Sequence, residues 1–106
     1  MPSPSVTLRR LGPGDLPLFR ELNRLFGEAF VAHETYTANP PDDAYVDGLL
    51  AKAHIVVLVA LSGQEVVGGL VAYELEKFEK ARSELYIYDL AVRADYRRRC
   101  RRYSTQ

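Results

Sequence analysis

The chain has 106 residues, enough for one domain and not for two. Its 47% apolar content excludes a largely disordered chain, and a single cysteine, Cys100, excludes an intrachain disulfide. Basic and acidic side chains balance at 14 each, but residues 1–92 hold 8 basic and 13 acidic groups while residues 93–106 hold 6 and 1. An acidic body suits a cationic partner, and a basic end suits a phosphate-bearing one.

The opening MPSPSVTLRR has no apolar signal core, and no stretch approaches the span of a bilayer. A cytoplasmic location without membrane contact is the expectation. Val6 to Leu11 reads as a short strand, broken by Gly12-Pro13-Gly14. Asp15 suits an N-cap and Pro17 the first helical turn. Leu18, Leu22, Leu25, Phe26 and Ala29 then follow helical spacing, with Phe19 and Phe30 widening the stripe.

Val31 to Pro40 has no period and reads as a loop. Pro40-Pro41-Asp42-Asp43 reads as a second helix start, with Val46, Leu49, Leu50 and Ala53 as its apolar face. Ile55 to Leu61 is a continuous β-branched run, as in a strand covered on both faces. A turn at Ser62-Gly63-Gln64-Glu65 leads to a return strand from Val66 to Leu75. Gly68-Gly69 inside that strand predicts a bulge or a close backbone approach. Glu84 to Val92 reads as a third long strand, with Glu84, Tyr86 and Tyr88 alternating against Leu85, Ile87 and Asp89. The order strand, helix, helix and a three-stranded antiparallel meander gives an α+β class.

The segment ELYIYDLAVRADYRRR, Glu84 to Arg99, resembles motif A of the GNAT acetyltransferases. With KFEKARSELYIYDLAV, LFGEAF and ETYTANPPDDAYVDGLLAK, the chain is similar to the aminoglycoside 3-N-acetyltransferases of the gentamicin and fortimicin type, over roughly Val6 to Arg99. The resemblance implies the N-terminal part of a GNAT acyl-CoA N-acyltransferase fold. It implies acetyl transfer from acetyl-CoA to the 3-amino group of an aminoglycoside, conferring antibiotic resistance, without a metal.

The match departs at the end. On this alignment Cys100 and Arg102 stand where the family's turn has Gly and Gly or Ala, and neither has the freedom that a close approach to phosphate needs. The expectation is a GNAT part over 1–92 and a basic, aberrant or disordered tail over 93–106, replacing the cofactor-binding turn and helix. A frameshift or recombination junction near Cys100 would explain it, and the other two reading frames past that codon test this.

An amine nucleophile must lose a proton, so a base is needed near neutral pH. Asp89 is the candidate: a lone carboxylate in the apolar end of a strand, where burial would raise its pKa, and a match to the family's Tyr-Asp-Leu-Ala-Val motif. The competing role is a structural carboxylate holding nearby amides. Glu84, Tyr86 and Tyr88 are candidates for the acceptor side, since carboxylates and phenols suit a polycationic, hydroxyl-rich ligand. An ordinary half-exposed sheet face explains them too, and for Glu84 it is the stronger account. Glu34 is a substrate candidate from the inter-helix loop, and His33 reads as a solvated loop residue. Asp42 and Asp43 read first as helix caps, and His54 as structural. The resemblance assigns Leu90, Ala91 and Val92 to the pantetheine arm and thioester oxygen through their backbone. It assigns Arg97, Arg98 and Arg99 to the phosphates, with a solvated tail as the equal alternative. No metal-ligand spacing surrounds either histidine.

Two rivals differ in class. One is a non-catalytic GNAT-derived binding fragment that self-associates through its exposed last strand, giving a homodimer. The other, a nucleic-acid contact by the tail, has no accompanying groove or motif, so no nucleic acid is expected as a partner.

Overall fold

The computed structural model describes residues 6–30 and 40–96. Six elements follow in order: β1 (Val6–Arg10), α1 (Leu16–Ala29), α2 (Asp43–Leu50), β2 (Ile55–Ser62), β3 (Glu65–Glu76) and β4 (Ser83–Val92). A single 3-10 turn at Ala94–Tyr96 closes the described part. The strands form one antiparallel sheet in the order β1-β2-β3-β4, so the first strand joins the expected meander as a fourth member. The architecture is α+β, with both helices on one face of the sheet. No helix among the described residues is long and apolar enough to cross a membrane.

Helix α1 buries Phe19, Leu22, Leu25 and Phe26, the stripe that its spacing predicts. They meet Ile55, Val57 and Val59 of β2 and Val46 and Leu50 of α2 in one core. Phe30, at the C-cap, stacks on Phe26 at 5.7 Å between ring centroids. The expected apolar face of α2 holds at Val46 and Leu50, but the helix ends at Leu50 and Ala53 is exposed beyond it.

The predicted caps differ, and Asp43 is the first residue of α2 rather than its cap. The side chain of Asp42 accepts the Tyr45 amide at 2.8 Å, a proper N-cap of α2. Asp15 begins α1 without a side-chain cap bond. Its carboxylate accepts instead from the Gly12 amide at 2.8 Å and from Arg9 at 2.7 Å. The cation on β1 turns the carboxylate back toward the strand it follows. Asp43 pairs with Arg20 at 2.8 Å, and Asp47 accepts from the Gly14 amide at 3.1 Å. These aspartates tie the helices to each other and to the β1–α1 turn.

The sheet carries two irregularities. Val66 pairs with Leu61 and Gly68 with Ala60, which leaves Val67 as an extra residue beside the predicted glycine pair. A Cβ on Gly69 would lie 2.6 Å from the Leu58 carbonyl oxygen and 2.5 Å from Leu22 Cδ1. The glycine therefore permits α1 to seat on the sheet. The second irregularity lies between β3 and β4 and shapes the site.

Candidate functional site

Strict alternation along β4 would place Asp89 with Leu85 and Ile87, away from the tyrosines. The pairing is different. Tyr86 lies opposite Tyr73, Ile87 opposite Ala72, and Asp89 opposite Val71. Tyr88 has no opposite partner and forms a bulge. One extra residue reverses the sidedness of all that follows. Tyr73 and Val71 pack against the core beneath the helices, so Tyr86 and Asp89 share the helix-side face. Tyr88 meets Tyr73 edge-on at 5.8 Å between centroids.

The bulge thus gathers Tyr73, Tyr86, Tyr88 and Asp89 on one side of the sheet. Tyr86 and Tyr88 are exposed, and Asp89 is half-buried. Tyr73 belongs to this group although its own sequence context signals nothing. Only the register of β3 on β4 reveals it.

Glu84 lies at the solvent-facing start of β4. Its carboxylate meets Arg82 at 2.6 Å and Lys77 at 3.7 Å. Its charge is therefore spent largely on the hairpin joining β3 to β4. His54 is exposed just before β2. Glu34 and His33 lie outside the described residues, as do Arg97, Arg98, Arg99 and Cys100.

Leu90, Ala91 and Val92 pair with Leu70, Gly69 and Gly68 of β3. Ala91 enters the core and Leu90 is exposed on the opposite face. β4 is the last strand in the sheet order, so its other edge faces away from β3. Beside its end is a hollow of about 200 Å³ lined by Leu25, Glu28, Ala29, Val92, Arg93 and Ala94. Its lining combines apolar side chains with one carboxylate, Glu28, and one guanidinium, Arg93.

Arg93 donates to both carboxylate oxygens of Asp95, at 2.8 and 3.1 Å, and lies 3.4 Å from Glu65. Asp95 foremost, then Glu65, raise its pKa above the ordinary arginine value, although partial burial opposes them. Among the described residues, no group of three or more His, Cys, Asp or Glu is arranged to hold a metal ion.

The description acetyltransferase (GNAT) family matches residues 18–99. An aminoglycoside acetyltransferase from an uncultured soil metagenomic sample superposes with a TM-score of 0.87 at 50% identity, over 90% of this chain and 62% of its own. A second, also from an uncultured soil metagenomic sample and solved in complex with sisomicin, gives 0.77 at 38% identity, over 88% of this chain and 59% of its own. The ribosomal-protein-alanine N-acetyltransferase of Brucella melitensis biovar Abortus 2308 shares the fold at 0.62 with 22% identity, over 88% of this chain and 60% of its own. The chain thus spans about three-fifths of the length of these solved relatives. No curated protein matches it. The family match covers most of the chain and includes the bulged strand with its neighbouring hollow, so the chain belongs to the acetyltransferase (GNAT) family.

Proposed function

We propose that this chain carries the acceptor side and the thioester side of an acetyl-CoA-dependent aminoglycoside N-acetyltransferase that modifies the 3-amino group. The observation that carries the reading is the bulge at Tyr88. It brings Asp89 to the helix-side face beside three tyrosines, in a chain 50% identical to an aminoglycoside acetyltransferase. The relative solved with sisomicin supports an aminoglycoside as the acceptor class.

An aminoglycoside amine is largely protonated near neutral pH and must lose that proton before it can attack. The Asp89 carboxylate is the group to accept it. The Tyr86 and Tyr88 hydroxyls offer hydrogen bonds to the sugar hydroxyls, and Glu34 belongs to the same acceptor side. The backbone of Leu90, Ala91 and Val92 holds the cofactor arm, and Arg97, Arg98 and Arg99 its phosphates. Bound there, acetyl-CoA supplies the acetyl group as an activated thioester.

Thiol release from acetyl-CoA with gentamicin as acceptor tests the activity, and NMR of the product locates the modified nitrogen. Asp89→Asn should lower kcat/KM by about 10²–10⁴ while preserving the thermal midpoint. A variant as fast as the parent would remove Asp89 from the proton transfer. Modification at another nitrogen would retain the chemistry and discard the 3-amino assignment.

A second reading has its own support. β4 is an edge strand without proline or lysine, and Leu85 to Tyr88 are exposed. Such an edge favours strand addition by a second copy, as a non-catalytic fragment. Sedimentation showing dimers, together with no coenzyme A uptake, would select this reading.

A further inference from the structure

We propose that Arg93 and Tyr96, with Glu65 and Ser62 as their anchors, are positioning residues that hold the segment leaving β4 against the β2–β3 hairpin. They would fix the direction in which the chain leaves the sheet at Tyr96. This inference rests on the reading of Leu90–Val92 and Arg97–Arg99 as the cofactor side.

Independent contacts converge on one turn of chain. The Arg93 amide donates to the Val67 carbonyl at 2.7 Å. Its guanidinium reaches Glu65 at 3.4 Å, at the hairpin's far side, while gripping Asp95 through two donors. The same guanidinium lies 5.1 Å from the centroid of the Tyr96 ring. The Tyr96 amide donates to the Arg93 carbonyl at 2.9 Å, closing the turn. Its hydroxyl donates to Ser62 Oγ at 3.0 Å in a part-buried setting. Ser62 and Glu65 pair across the hairpin turn. The exit of β4 is thus tied to both strands of one hairpin, from residues at either end of a single turn. Two such ties fix direction as well as distance.

The energetics favour geometry over stability. The Glu65 and Arg93 side chains are 62% and 36% exposed, and ion pairs of that exposure add little to folding. What they restrict is the set of directions in which the chain can leave the sheet. A family member that binds phosphates with the following turn needs that direction defined, because amides hold phosphate only when aligned.

The test compares the full chain with Tyr96→Phe, Arg93→Gln and Arg93→Lys. Amide hydrogen exchange is followed by mass spectrometry, and coenzyme A binding by calorimetry. Tyr96→Phe and Arg93→Gln should each speed exchange over residues 93–96 about fivefold, with α1 and β2 unchanged. Arg93→Lys keeps the charge and should restore part of the protection. Coenzyme A affinity should fall by about the same factor, in the same order of variants. Unchanged exchange over 93–96 overturns the proposal, and equal acceleration in α1 and β2 reduces these residues to fold stabilisers and overturns it as well. If the parent takes up no coenzyme A but the variants still loosen the segment, the tether stands and the acetyl-CoA reading fails.

Discussion

The two faces of the sheet carry similar apolar side chains and meet different fates. On the helix side, Val57 and Val59 are 1% and 0% exposed beneath Leu22, Phe26 and Val46. On the other side, the rows Leu8–Ala60, Val56–Ala72–Ile87 and Leu58–Leu70–Leu90 run across the strands. There the large side chains Leu8, Ile87 and Leu90 remain 74%, 51% and 57% exposed, and only the small Ala72, at 0%, is hidden by its neighbours in these rows. Apolar character on a strand therefore marks a face able to be covered, while burial of its large side chains depends on an element arriving to cover it. Among the described residues, only one face receives its helices, and that face defines the fold. It also carries Asp89 at its margin, where cover gives way to solvent.

Substitutions can break or sharpen this contrast. Leu22→Ala removes a side chain that is 1% exposed at the centre of the covered face. It should cost about 2–5 kcal/mol, read from urea denaturation. Gly69→Ala inserts a methyl group where Leu58's carbonyl and Leu22 already stand. It should cost about 1–3 kcal/mol, since the backbone oxygen has nowhere to retreat. Combining the two should cost less than the sum, because the truncated Leu22 vacates space for the new methyl. Additive costs would show that the Leu58 carbonyl alone sets the limit. Ile87→Thr on the open face should change stability by no more than about 0.5 kcal/mol, while reducing any self-association seen in sedimentation. A loss near that of Leu22→Ala would mean that something covers this face in solution.

Much of the architecture was legible from residue pattern. The stripe from Leu18 to Ala29 became α1, and the β-branched run after His54 became β2. Asp42 was legible as a cap because capping is local: its carboxylate reaches an amide three residues ahead. Asp15 was equally legible as the N-cap position, but not the partners of its carboxylate, which is drawn to Arg9 of β1, a contact that needs the strand and helix already placed. Asp89 shows the same limit within the site. Its residue type and motif marked it as the candidate base, but alternation assigned it to the wrong face. The bulge that corrects this arises from how β3 and β4 align, and no property of YIYDLAV by itself counts residues on the opposing strand.

The chain's order of residue types determined the α+β class, the extents of most elements and the family, because helical and strand periods are local and the motif is contiguous. Tertiary structure decided which face of each strand is covered, where Asp89 points, and how the exit of β4 is tied to Ser62 and Glu65. Those outcomes depend on register and on contacts between residues about 30 positions apart, which close only when the whole sheet has formed.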